Sequence, residues 1–415
     1  MKKIVTLLAV VILLVLPACQ APAQVVETAA PAQVMETAAP AVNTYPLEIP
    51  TEKTYPVEEP AETPVSNAHV TIDYARNFTL EYKEGYKLLT VLTPWAGATE
   101  PIQYALVPKG QPDPSGIENA MIIHTPVESF VSLSTTYLPF LGQIDELSSL
   151  VAVDAGMYIY NPEVQNWLET GTVSEVGSGS VINVERLVDL NPDLIMTSAS
   201  GFADYDSHPQ LLEAGLKVVI NSDYLEQDPL GRAEWGKFIA AFFDQEVEAD
   251  ILFDEMVARY QQAKDLTSDL TDRVTVLTNT AYEGTWYMPG GKSYIAILLA
   301  DAGADYVFKN LEGSGAQPLD FEIVLEGAKD ADYWINVGAI TDLSSLAGMD
   351  ARYADFNAYQ DGNVYTYSKR VNEFGAVDYF ESGAAAPDLI LMDLIKAFYP
   401  DLLPEHEFFY YQALQ

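Results

Sequence analysis

Apolar and polar residues alternate through three early runs: His69-Val-Thr-Ile-Asp-Tyr74, Phe78-Thr-Leu-Glu-Tyr82 and Lys87-Leu-Leu-Thr-Val-Leu92. A period near two is that of a half-buried strand, and Gly85 between the last two runs predicts a hairpin. Residues 69–107 thus predict a small β-rich entry. After residue 120 the pattern changes. Short apolar runs at Met121–His124, Val151–Asp154, Leu194–Thr197 and Val218–Asn221 predict strands. Between them Glu128–Leu141, Pro162–Glu169, Val184–Leu190 and His208–Ala214 predict helices. Asn183 suits an N-cap, and Asn191-Pro192 a stop, for the third of these. Alternating strands and helices predict a mostly parallel sheet covered on both faces.

Residues from Ala233 to about Leu266 keep roughly helical apolar spacing, with no Gly or Pro from Lys237 to Leu270. One long helix is predicted there, spanning the molecule. A second series follows at Val274–Thr278, Ser293–Ala302, Phe321–Ala328, Trp334–Val337 and Val364–Tyr367, closed by an apolar helix from Asp388 to Phe398. The fold class predicted is α/β: two Rossmann-like lobes joined by a long linking helix, with a small β-rich N-terminal extension. The expected segments are 69–232 for the first lobe with its extension, 233–270 for the linking helix and 271–415 for the second lobe. Ligands of α/β sheets bind beyond the carboxyl ends of the strands, so two facing lobes predict a cleft between them.

The N-terminus reads differently. Lys2 and Lys3 precede an apolar run from Ile4 to Leu16, too short for the roughly 20 residues of a spanning helix and matching a secretory signal. Leu16-Pro17-Ala18-Cys19 resembles a bacterial lipobox, which implies a signal peptide over residues 1–18 and a diacylglycerol on the Cys19 thiol. Cys19 is the single cysteine of the chain, so no intrachain disulfide forms. Residues 19–68 contain near-repeats, Ala21–Ala29 with Ala30–Ala38 and Thr44–Pro50 with Thr54–Pro60. Their Pro, Ala and Glu content predicts an extended disordered tether. A net charge of −39 over 415 residues gives no basic footprint for nucleic acid.

Four segments carry a family resemblance. Asn183-Val-Glu-Arg-Leu-Val-Asp-Leu-Asn-Pro-Asp-Leu-Ile195, Tyr282-Glu-Gly-Thr-Trp-Tyr-Met-Pro-Gly-Gly-Lys-Ser-Tyr294 with Leu298–Tyr306, Leu319-Asp-Phe-Glu-Ile-Val-Leu325, and Pro387–Leu403 occur in that order. Together, behind a lipobox, they resemble class III periplasmic binding proteins over residues 120–415. These serve ABC importers of ferric siderophores, corrinoids and haem. The resemblance implies a substrate-binding lipoprotein outside the cytoplasm, on the periplasmic or outer face. It would act as a monomer without enzymatic activity or a cofactor of its own. Its ligand is a small-molecule metal chelate: a ferric siderophore first, then a corrinoid such as cobalamin, then haem. Its partners are the ABC permease with its ATPase, and the membrane through the anchor. By motif position Glu185 and Glu322 would pair with permease arginines; acids at a helix start are also favourable for the helix dipole.

The cleft residues expected to touch ligand are Tyr282, Trp286 and Tyr287, as flat apolar walls before the Pro289-Gly290-Gly291 turn. Ser178 and Gly179 belong to a small-residue rim, where cobalamin-binding members carry a Trp. Arg370 offers a fork donor for an anionic chelate or, alternatively, a surface pair with Glu373. Tyr158 and Tyr160 are further rim candidates. His124 ends a strand near the expected cleft, and Met157 or Met288 offers sulfur to a haem. Other motifs fail. Gly290-Gly291-Lys292-Ser293 lacks the earlier P-loop glycine, the residue there being Trp286, and His406-Glu407 lacks a second zinc histidine. Two readings from other classes remain: an exported carboxylate-dependent hydrolase, with no acid pair singled out among 60 acidic residues, and a tethered adhesion module.

Overall fold

The computed structural model describes residues 69–117, 119–177, 181–202 and 204–415. Cys19, the tether, Ser178 and Gly179 lie outside the described residues. The N-terminal hairpin forms as its alternation dictates, β1 (Phe78–Lys83) pairing antiparallel with β2 (Tyr86–Val91). Gly85 turns at φ 83°, a left-handed value that glycine adopts without a Cβ clash. β3 (Ile102–Pro108) and β4 (Ala120–Thr125) complete a four-stranded sheet in the order β1-β2-β3-β4.

The first lobe is built on β5 (Phe130–Ser132), β6 (Leu150–Val153), β7 (Ser174–Glu175), β8 (Leu194–Thr197) and β9 (Val218–Ile220). Their order is β7-β6-β5-β8-β9, all neighbours parallel. Helices α1 (Leu138–Gln143), α2 (Pro162–Thr170), α3 (Val184–Leu190) and α4 (His208–Glu213) connect them. The centre of this sheet corrects one expectation. Glu128–Leu141 is not a helix: Phe130–Ser132 is the middle strand, buried on every side, and helix starts only at Leu138. Three consecutive buried residues have no period, so a strand buried on both faces is invisible to a helix-spacing test.

The connector is also different. α5 (Pro229–Ala233) and α6 (Trp235–Ala240) precede a break at Asp244, whose φ is 57°; α7 (Glu246–Asp265) then runs for 20 residues. The linking helix of residues 233–270 is therefore interrupted, and only its second half is long. Both halves carry buried charge. Lys237 is buried with Glu234 at 3.0 Å and Asp250 at 2.6 Å, and Lys87 binds Glu246 at 3.0 Å and Asp244 at 2.7 Å. The Glu234 carboxylate also accepts from the amides of Asp73, Tyr74 and Ala75, and Glu226 from those of Arg76 and Asn77. Residues 69–74 thus run along the connector rather than forming a strand; two carboxylates take the place of a ladder.

The second lobe holds β10 (Thr275–Thr278), β11 (Ala281–Tyr282), β12 (Thr285–Pro289), β13 (Asp305–Tyr306), β14 (Ala316–Asp320), β15 (Tyr333–Ile335), β16 (Val364–Thr366) and β17 (Gln412–Ala413). Its main sheet is ordered β13-β10-β15-β16-β17, and β11-β12-β14 forms a separate antiparallel sheet. Helices α8 (Tyr294–Asp301), α9 (Phe321–Ala328), α10 (Leu343–Met349), α11 (Asn357–Gln360), α12 (Asp378–Glu381) and α13 (Pro387–Phe398) complete it. Ser293 caps α8 by accepting from the Ala296 amide. The described residues, from His69 to Gln415, form one compact unit. Among the described residues no helix is long and apolar enough to cross a membrane.

Candidate functional site

Parallel strands deliver their loops to one edge, and in the first lobe that edge is hollow. A cavity of about 330 Å³ is lined by Leu133 after β5, Asp154 after β6, Gly177 after β7, and the loop after β8, including Ser198, Ser200, Tyr205 and Asp206. Tyr224, beyond β9, closes the far side and donates from its hydroxyl to the Ala199 carbonyl at 2.7 Å. The wall after β8 is tightly organised. The buried Asp206 carboxylate accepts from the Ser200 amide (2.7 Å), the Ser200 hydroxyl (2.7 Å) and the Gly201 amide (2.9 Å). Gly201 sits at φ 81° against Trp95, where a Cβ would come within 2.5 Å of the indole. Trp95, brought in by the β2–β3 loop, also stacks on His208 at 5.7 Å. Tyr205 of the lining is 75% exposed, and Tyr158, on the loop after β6, is 60% exposed.

Arg232 makes a contact between the lobes. Arg232 on α5 donates from Nε to Asp223 at 3.1 Å, and its guanidinium lies 5.5 Å from the ring centre of Tyr294, the first residue of α8. Burial pushes the Tyr137 hydroxyl far above its usual range, and Asp223 and Asp154 add to the rise. A latch lies at one side. Glu381, buried on α12 of the second lobe, accepts from the first-lobe amides of Tyr160 (2.6 Å) and Asn161 (3.0 Å). Burial raises its carboxyl from 4.5 to about 7, with Asp378 contributing and the two amides opposing. Asn372 donates to the Ile159 carbonyl at 2.9 Å beside it.

The sequence-predicted residues fall into three groups. Trp286 is a correction: it is fully buried, its indole donating to the Thr278 carbonyl at 3.0 Å. Phe321, Trp334, Tyr353 and Phe356 surround it at ring distances of 5.7–5.9 Å. Alternation along β12 explains this, since a strand sends successive side chains to opposite faces. Trp286 and Met288 point into the core, so Met288 is no haem ligand; Tyr287 points out, 48% exposed, and Tyr282 on β11 is 68% exposed. Arg370 pairs with Asp378 at 2.5 Å rather than with Glu373, and its guanidinium lies 4.3 Å from the Phe409 ring and 5.2 Å from that of Tyr160. His124 sits on the edge strand of the N-terminal sheet, bonded to Asp113 at 3.0 Å, away from the strand ends of both lobes.

Glu185 is exposed in the first turn of α3, behind Asn183, which caps by accepting from the Arg186 amide. Glu322 is exposed in the first turn of α9 and pairs with Arg352 at 3.0 Å. Asp154, Ser200, Tyr205, Asp206, Tyr224 and Arg232 were not singled out by motif. The available signal was positional: each of the first five follows a strand at its carboxyl end.

Comparison with known proteins agrees with this architecture. The profile of the family described as periplasmic binding protein matches residues 131–371, more than half of the chain. The uncharacterized lipoprotein MJ0878 of Methanocaldococcus jannaschii is 28% identical over 81% of this chain and 84% of its own. A second lipoprotein of that organism, MJ0872, is 27% identical over 82% and 86%. Among solved structures, a chain of an ABC-type Fe3+-hydroxamate transport system from Saccharomonospora viridis superposes with a TM-score of 0.52 at 14% identity, covering 75% of this chain and 98% of that one. The molybdate periplasmic binding protein MolA of Haemophilus influenzae gives 0.52 at 19% identity, covering 68% and 89%. The extension of residues 69–125 precedes the family match. With paired parallel-sheet lobes, a helical connector and a matching profile over most of both lobes, this chain belongs to the class III periplasmic binding proteins.

Proposed function

We propose that this chain is the lipid-anchored substrate-binding component of an ABC importer, held outside the cytoplasm through Cys19. It captures a metal chelate without catalysis and hands it to a permease. A ferric siderophore is the first choice of ligand, ahead of a corrinoid or haem. The observation that carries the reading is the open cavity at the strand ends of the first lobe, lined by the exposed Tyr205 and Tyr224 and by the loops after β6, β7 and β8. Rigid rings at a rim bury much ligand area at small entropic cost. Family membership supports the transport role, and the lipoprotein relatives support the anchor. Glu185 and Glu322, one exposed acid on each lobe, are the docking residues for permease arginines; such charges set orientation and encounter rate. Tyr158, Tyr282 and Tyr287 are further ligand contacts at the mouth.

The test is a fluorescence titration of the full chain in detergent against ferric catecholates, ferric hydroxamates, cobalamin, cobinamide and haem. Saturable quenching by one chelate, largely abolished in Trp95→Phe because that indole backs the cavity wall, supports the reading. A flat response to every compound overturns it.

A further inference from the structure

The electrostatics of the cavity go one step beyond the class of ligand, and the step rests on the chelate-binding reading above. Among the described residues the lining holds two carboxylates, Asp154 and Asp206, and no Lys, Arg or His. The neighbouring residues outside the described set, Ser178, Gly179, Ser180 and Ala203, are uncharged by identity, so they bring no cation wherever they lie. Three donors of the wall after β8 are taken by the protein itself. The amides of Ser200 and Gly201 and the Ser200 hydroxyl all point at the protein's own Asp206 carboxylate. Among the described residues Asp154 forms no ion pair; burial dominates and raises its carboxyl, with Glu175 adding to the rise. Outside the lining, Arg232 is paired with Asp223 and Arg370 with Asp378.

A cleft of one sign with low-dielectric walls focuses its field on whatever enters, and like charges in it are costly. We infer that this cavity selects metal chelates of zero or positive net charge, such as ferric trihydroxamates, and rejects polyanionic ones such as ferric tris-catecholates and bare oxyanions.

Equilibrium dialysis of the full chain in detergent, with iron counted on both sides, tests this near neutral pH. The probes are a trianionic ferric tris-catecholate, a neutral ferric trihydroxamate and a cationic ferric trihydroxamate. The neutral and cationic complexes are expected to bind at least about tenfold more tightly than the trianion, with the gap shrinking as salt screens the field. Asp154→Asn should narrow the gap further by weakening the cation and strengthening the trianion. The salt series on the unaltered chain reads the same quantity should that variant fold poorly. Tightest binding of the trianion overturns this inference and leaves the chelate-binding reading intact. A preference that salt does not change also overturns it, since the discrimination would then be one of shape. Binding of none of the three overturns both.

Discussion

The two lobes share a five-stranded sheet and a set of loops at its carboxyl edge, yet they fill that edge in opposite ways. In the first lobe the loops after β6 and β8 stand apart and leave a cavity with polar walls and exposed rings. In the second, Trp286, Phe321, Trp334, Tyr353 and Phe356 converge and fill the space behind the β11–β12 hairpin. Aromatic content therefore does not mark the hollow side. The ring-rich segment stabilises a lobe, and the segment of serines, aspartates and isolated tyrosines forms the recess. The lobes are matched in a different respect, since the two acids named by motif position, Glu185 and Glu322, are each exposed in the first turn of a helix, Glu322 paired with Arg352.

The largest expected effect breaks the comparison if it comes out wrong. Trp286→Ala removes the centre of the ring cluster and should cost about 3–5 kcal/mol of stability, read by urea unfolding. Ligand affinity of the folded fraction should stay unchanged. Normal stability with lost affinity would make the second lobe a binding wall after all. Next are the two acids proposed for docking, Glu185 and Glu322. Glu185→Lys or Glu322→Lys should weaken association with the permease about tenfold or more in reconstituted vesicles and leave chelate affinity untouched. Equal loss of chelate binding would move those residues into the site. Tyr205→Ala should cost about tenfold in ligand affinity, with stability within about 0.5 kcal/mol, because the ring is exposed and anchors nothing.

The smallest effect concerns the contact between lobes. Glu381 holds its proton up to about pH 7 in the folded chain and to 4.5 when unfolded. Between those values the folded state binds more protons, so the stability contribution is full below pH 4.5 and is lost as pH rises through 7. The size expected is about 1–3 kcal/mol. Glu381→Gln keeps an acceptor oxygen for one of the amides and cannot ionise, so it should flatten the stability profile between pH 4.5 and 7. An unchanged slope in the variant would assign the pH dependence to another group.

Much of the fold was legible because period and punctuation agreed. The helix at Val184–Leu190 falls where its capping residue Asn183 puts it, and that at Phe321–Ala328 where the apolar spacing does. β5 was not legible, because a strand buried on both faces carries no alternation. The break at Asp244 was hidden as well, since a non-glycine residue takes the left-handed conformation there. The site was less legible than the fold. A sequence shows that Trp286, Tyr287 and Met288 sit together; which of them faces out depends on how β12 pairs with β14. Arg370 likewise finds Asp378 through the turn of residues 371–377, a partner that a nearest-acid rule misses. Asp154 and Asp206 gain meaning only from sharing a cavity, a property of the topology.

The central claim is that ligand seats on the strand ends of the first lobe. Hydrogen exchange of the full chain, with and without the tightest-binding chelate of the panel, reads this directly. The account predicts the strongest new protection at residues 154–160, 197–202 and 221–225, with weaker protection at 282–288. Protection concentrated at 284–288, with none on the first-lobe loops, would contradict it.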